Sequence, residues 1–436
     1  MSILARSLPM AALGVAGALA LAACGGGGTS AGPAGSAPAA SGGKTKVTMW
    51  THNAGNEVEL KLVQQVTNDY NASQDKYEIT IQAFPQESYN DAIVSAAASK
   101  SLPCLLDVDA PIMPSWAYAN YLQPLALDAK LTDPLLPGVK GVYNDKLYSV
   151  GFYDAALGIV TRKSILEDND IRIPTIDQPW TLEEFDAALT KLKASGKYDY
   201  PLDAGTGWTG EWYPYAYSPL LQSFGGDLIN RTDFSTAEGV LNGPQAVKWG
   251  EWFQGLFKNK LANPKESEDR TDFLQGKVAM QWNGSWAIGD AVKKFGDDIL
   301  VLPPPNLGKQ PYIGAGSWQW GMSATCQTPE AVNGWINFGL QDKYLSAFSE
   351  QLGNLPASAS AQALGKKFKE GTRESTYIEL ARKYALIRPP TPAYPFIAKT
   401  FEKAAQDIIA GANVQDALNT AVDAIDKNLA ENDNYQ

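Results

Sequence analysis

The sequence predicts an α/β protein built in two lobes, and three observations lead there. With an N-terminal signal set aside, about 410 of the 436 residues remain, beyond the ~250–300 at which one hydrophobic core usually divides. The start of the folded part alternates strand and helix patterns, which favours a parallel sheet with helices on both faces. A hydrophobic fraction of 44% is ordinary globular material, and no run after the signal approaches the ~20 apolar residues needed to cross a bilayer.

Taken in order, Lys46–Trp50 reads as a strand, and Val58, Leu62, Val66 and Tyr70 mark one face of a helix. Tyr77–Ala83 alternates as a second strand, and the alanine-rich 88–100 stretch reads as a second helix. Pro103 then precedes a third strand at Leu105–Asp109. Further on, Thr181 and Glu184 form a capping box ahead of Phe185, Leu189 and Leu192. Asn242-Gly243-Pro244 opens a helix carrying Val247, Phe253 and Leu256, and Val414, Leu418, Val422, Ile425 and Leu429 outline a long terminal one. The segment 196–231 is rich in Trp, Tyr, Gly and Pro without clean periodicity, and is expected to be binding loops.

The N-terminus carries an address. Arg6 supplies a positive end, residues 8–23 a short apolar run, and Leu21-Ala22-Ala23-Cys24 matches a lipobox. Residues 1–23 are therefore expected to be removed, with Cys24 acylated and the protein held outside the cytoplasmic membrane by lipid. Residues 24–43 are that cysteine and a flexible Gly/Ala/Ser tether. Such a tether spans on the order of 24 Å root-mean-square.

Composition narrows the chemistry. A net charge of −11 without a basic cluster argues against nucleic acid. His52 is the single histidine, so a multi-histidine metal site is excluded. With Cys24 lipidated, Cys104 and Cys326 remain, which can pair but cannot build a structural zinc site. Twelve tryptophans and nineteen tyrosines provide flat faces of the kind that suit the C–H sides of sugars.

Nine segments, in order, carry a family resemblance. They are Lys46–Asn56, Phe84–Asn90, Leu102–Pro111, Tyr148–Lys163, Pro179–Phe185, Leu220–Leu228, Gly276–Trp286, Gly314–Ser323 and Gly353–Ala357. Together, behind a lipobox, they resemble the extracellular solute-binding proteins of ABC importers, in the maltose-binding-protein-like sugar group. The resemblance implies a type II periplasmic-binding-protein fold, two α/β lobes joined by hinge crossovers. One lobe would be residues 44–153 plus 312–354, the other 154–311 plus 355–436. It also implies that the strands beside Cys104 and Cys326 are antiparallel neighbours, so that the two cysteines meet in a disulfide. The implied activity is capture of a carbohydrate, a di- or oligosaccharide, by a monomer that delivers it to membrane permease subunits, without cofactor and without catalysis. A polyamine, peptide or glycerol phosphodiester receptor is the alternative, and a secreted glycosidase a more distant one.

Ligands of open α/β sheets sit beyond the carboxyl ends of strands. That rule selects the loop with Trp50, His52 and Asn53, and the turn at Asp109. Asp109 could accept two hydrogen bonds from a sugar diol or could cap the helix that follows; His52 and Asn53 could contact ligand or turn the chain. Among Trp212, Tyr213, Tyr215 and Tyr217, the family pattern puts Tyr215 nearest an aromatic contact, with Trp212 a further candidate. The pattern also makes Trp286 the sugar-stacking ring. Trp318 and Tyr394 stand between cleft and core. Asp154 could hold ligand or brace a crossover; the maltose-binding pattern has its carboxylate one residue later. Replacing Cys24 by serine should move the protein from the membrane fraction to the soluble fraction of fractionated cells, and retention in the membrane would refute the lipobox reading.

Overall fold

The computed structural model describes residues 43–435. The signal segment, Cys24 and the tether up to residue 42 lie outside the described residues. Among the described residues, no helix is long and apolar enough to cross a membrane.

The chain opens β1 (Thr45–Thr51), helix Glu57–Ser73, β2 (Tyr77–Ala83), helix Gln86–Ala98 and β3 (Leu105–Asp109). β1 runs parallel to both β2 and β3, as the alternation predicts. β4 (Leu122–Gln123) follows, then a hairpin of β5 (Lys140–Tyr143) and β6 (Lys146–Val150). Its Asn144-Asp145 turn has both residues at positive φ, 47° and 59°, the twist that two-residue hairpins favour. β7 (Tyr153–Asp154), β8 (Leu157–Arg162), β9 (Tyr200–Asp203), β10 (Val278–Gly284) and β11 (Ile299–Leu302) come next. Last are β12 (Ile313–Ala315), β13 (Trp318–Ser323), β14 (Leu355–Pro356) and β15 (Ala385–Ile387).

Two sheets result. The first has the order β2-β1-β3-β13-β6-β5, with β4 also on β13; the second has the order β11-β8-β10-β9. Two small pairs, β14 with β7 and β12 with β15, lie where the chain passes from one sheet to the other. The first sheet is covered on both faces, because successive side chains of a strand point to opposite sides. Leu105 joins Val47, Met49, Leu62, Val66, Trp320 and Trp335 on one face. Leu106 and Val108 join Tyr89, Ile93, Met113 and Trp116 on the other. Around the second sheet, Ile159, Val160, Met280 and Trp282 share a core with the helices Trp212–Phe224, Pro244–Lys258, Tyr394–Ile409 and Val414–Glu431.

Local signals explain several helix ends. Thr181 and Glu184 make the reciprocal capping box ahead of Leu182–Ala194. The five apolar residues of the terminal helix are all buried. Val58, in contrast, is 46% exposed. A four-residue step drifts ~40° around a helix, so three steps carry Val58 off the face that buries Leu62, Val66 and Tyr70. The expectation of loops over 196–231 is overturned. That segment contains β9 and the helix Trp212–Phe224. Every residue of this helix is buried, so it carries no one-sided stripe to reveal it.

β13 runs antiparallel to β3, with Trp318 opposite Asp109 and Met322 opposite Leu105. Cys104 and Cys326, just beyond the Leu105 end, form the disulfide. Cys326→Ser opens a bridge between residues 222 apart in sequence, and should lower the unfolding free energy by roughly 3–5 kcal/mol. A urea midpoint equal to wild type would show that the bridge does not stabilise the fold.

Candidate functional site

The first wall of the site forms where β1 and β3 end. Trp50 packs on Phe84, with ring centroids 4.7 Å apart. The Tyr89 hydroxyl donates to the Trp50 and Asp107 carbonyls at 3.1 and 2.7 Å. His52 lies against Asp107, Nδ1 to Oδ2 2.6 Å, and Thr51 Oγ1 donates to the same oxygen at 2.9 Å. Glu59 lies 3.8 Å from His52 Nε2 and accepts from the Tyr153 hydroxyl at 2.6 Å. The His52 ring stacks on Trp318 at 3.6 Å between centroids and 8° between planes. Burial opposes the imidazolium charge, but Asp107 and Glu59 outweigh it and hold the His52 pKa above its ordinary value. Asn53 is buried, and its Oδ1 has no hydrogen-bond partner among the described residues.

Asp109 is the most telling group. It is 7% exposed, and its carboxylate accepts no hydrogen bond from the described residues, the cap of the following turn included. Burial pushes its pKa up to about 7, against the pull of Arg388. A carboxylate in this position can accept hydrogen bonds from the hydroxyls of a ligand.

The second wall is built from later segments. Arg388, just after β15, donates through Nη1 to Glu211 Oε2 at 2.6 Å, and the Tyr394 hydroxyl donates to the same oxygen at 2.7 Å. The guanidinium sits 5.0 Å above the Tyr215 ring, and Tyr215 lies 6.2 Å from Trp286. The Tyr215 hydroxyl and Arg388 Nε are buried without partners among the described residues. Trp286 follows β10 and is partly exposed. Its indole lies over Gly284, where an added Cβ would stand 2.0 Å from the ring. Asp154 Oδ1 accepts from the backbone N–H groups of Ala155 and Gly316 at 2.8 and 3.2 Å, bonds that brace the crossover. Burial raises its pKa to about 6.

The four candidate rings of one helix part company. Tyr215 joins Arg388 and Trp286, whereas Tyr217 turns inward and donates to the Ala204 carbonyl at 3.1 Å. Trp212 packs on Trp208 at 4.7 Å, and the Arg270 guanidinium lies 4.5 and 5.1 Å from those two rings. Arg270 is ion-paired to Asp203 at 2.7 Å. Arg388, Glu211, Asp107 and Glu59 were not among the sequence candidates. Period-2 alternation from Asp109 could have pointed to Asp107; Arg388 and Glu211 meet only through tertiary structure.

Two sheets joined by short paired segments, with one late strand returned to the first sheet, define a two-lobed solute-binding protein. Residues 65–373 match the bacterial extracellular solute-binding protein family, and the chain belongs to that family. Solved structures share the fold. The cyclic α-maltosyl-1,6-maltose binding protein of Arthrobacter globiformis is 21% identical with a TM-score of 0.72, covering 89% of this chain and 100% of that one. The GacH receptor of Streptomyces glaucescens, solved with acarbose, is 20% identical with a TM-score of 0.74, covering 90% and 100%. The sugar-binding protein MalE of Xanthomonas citri is 16% identical with a TM-score of 0.74, covering 89% and 98%.

Asp109 and Asp154, at about 7 and about 6, keep protons in the folded protein that the unfolded chain releases near pH 4. Their contribution to stability is therefore fullest below about pH 4 and is lost as pH rises towards 7. Asp109→Asn should flatten that decline in melting temperature between pH 4 and 8. A slope identical to wild type would contradict the buried, donor-free state of Asp109.

Proposed function

We propose that this protein captures a carbohydrate, a di- or oligosaccharide, between its two lobes and passes it to an ABC permease in the membrane. The observation that carries the reading is the pairing of ring faces with unanswered polar groups. Trp318 and Trp286 are partly exposed, while Asp109, Asn53 Oδ1, the Tyr215 hydroxyl and Arg388 Nε lack partners among the described residues. A sugar supplies both complements, C–H faces for the rings and hydroxyls for the polar atoms. The ligands of two similar structures, cyclic α-maltosyl-1,6-maltose and acarbose, support the same class.

In this reading one lobe comprises residues 44–153 plus 312–354 and the other 154–311 plus 355–436, and lipid on Cys24 tethers the monomer to the cell membrane. Contacts made to both lobes favour the closed state. The ligand leaves as it arrived; incubation with a stabilising oligosaccharide should yield no product. The donor-free carboxylate of Asp109 would also answer an ammonium group, so a polyamine is the rival ligand.

A thermal-shift screen over mono-, di- and trisaccharides, with spermidine included, separates the two. At a 100-fold excess over Kd the true ligand adds about 2.7 kcal/mol of stability. Trp286→Ala should weaken sugar binding about tenfold through the lost ring face, at an unliganded melting temperature near wild type. Stabilisation by spermidine and by no sugar would reverse the assignment.

A further inference from the structure

The single histidine lies at the edge of the site without facing it. Its ring is 4% exposed and lies parallel to the indole of Trp318 at 3.6 Å. We propose that His52 is a positioning residue, which holds the Trp318 indole flat so that its opposite face is presented to the ligand. The proposal rests on the reading above, in which Trp318 walls the ligand site.

Three features carry it. First, Trp318 is gripped from two sides. His52 covers one face, and Tyr89 meets the ring at 5.8 Å and 72°. Trp318 also sits opposite Asp109 in the β3–β13 register, so whatever fixes its plane fixes a surface beside the donor-free carboxylate. Second, His52 is itself held rigidly. Asp107 takes Nδ1 at 2.6 Å, Glu59 faces Nε2 at 3.8 Å, and the Tyr153 hydroxyl fixes Glu59 at 2.6 Å. Third, the surroundings favour an imidazolium. The groups facing the ring are Asp107 and Asp109 of β3, Glu59 of the helix Glu57–Ser73, Tyr89 of the helix Gln86–Ala98, and Trp318 of β13. Three are carboxylic acids, and no lysine or arginine stands among them. An imidazolium over an indole face gains a cation–π attraction that a neutral ring lacks. On deprotonation Nδ1–H still donates to Asp107, but the Nε2 lone pair then faces Glu59. The charge leaves the stack and the grip on Trp318 loosens.

Because His52 is the sole histidine, untagged protein labelled with ¹³C-histidine gives one Cε1–Hε1 resonance, so wild type itself tests the proposal. The resonance should lie upfield through the indole ring current and titrate above the ordinary histidine value of about 6.5. Trp318→Leu should remove the upfield shift and lower that pKa. With a sugar identified by the screen, affinity should be steady below the His52 pKa and fall about tenfold as pH rises through it. Asp109, raised to about 7, titrates as well, so the decline that is present in wild type and missing from His52→Gln is the part assigned to His52. His52→Gln should also bind about tenfold more weakly at low pH, and adding it to Trp318→Leu should cost nothing more. An unshifted resonance, or His52→Gln with wild-type affinity and pH profile, would overturn the proposal. If no sugar binds, the functional reading fails, while the resonance and its response to Trp318→Leu still decide whether His52 holds the indole.

Discussion

The antiparallel pairing of β13 with β3 is the constraint on which the site depends. It brings a strand from the last third of the chain into the middle of a sheet begun at Thr45. Its two ends do different work. At one, Cys104 and Cys326 are linked covalently; at the other, Trp318 is set beside Asp109. A one-residue slip would turn Trp318 to the opposite face of the sheet and break its stack on His52. The bridge sits just past the Leu105–Met322 pair and so opposes any such slip. It also shortens the unfolded loop that must close before this non-local pairing forms.

The protein also gathers buried charge that its own residues answer unevenly. Arg270 is answered by Asp203 and by the Trp282 carbonyl. Glu266 accepts from the backbone N–H groups of Ala204, Gly205 and Thr206. Burial and the neighbouring Asp203 carboxylate still push the Glu266 pKa up. These groups pack beneath Trp208 and Trp212, and Arg270 Nη1 stays buried without a partner among the described residues. Among the described residues, Arg388 is answered by Glu211 while its Nε finds no partner, and Asp109 feels the Arg388 charge but accepts no cap hydrogen bond. Removing one partner from a buried network is expensive because the remaining group keeps its desolvation cost. An unliganded site with several such groups therefore stores a deficit that a hydrogen-bonding ligand relieves.

Much of this fold was legible in the sequence wherever one face is buried and the other is wet. The strands and helices from Lys46 to Asp109, the Thr181–Glu184 box and the terminal helix all announce themselves by period or cap. The helix Trp212–Phe224 does not. It is buried on every side and contains Pro219, two features that hide helical periodicity and argue against a helix. Of the candidate site, Asp109 and the loop after β1 can be picked out from strand ends alone. Arg388 and Glu211 come from segments 177 residues apart, and no local pattern joins them. Asp107 and Glu59 read as ordinary polar residues until the fold folds them around His52.

That hidden helix also explains how Tyr215 reaches the site. Proline at position 219 has no N–H to give to the carbonyl four residues back, that of Tyr215. The freed carbonyl lies against Gly314 of β12, where an added Cβ would stand 2.4 Å from it. A proline in the helix and a glycine in the crossover strand thus make one close contact, available to neither residue alone. β12 pairs with β15, and Arg388 follows directly at the end of β15. The contact therefore sets Tyr215 and Arg388 in register, guanidinium over ring, at the strand pair joining the two sheets. A side chain at position 314 would have to push the helix away from β12, and would separate the ring from the charge that lies on it.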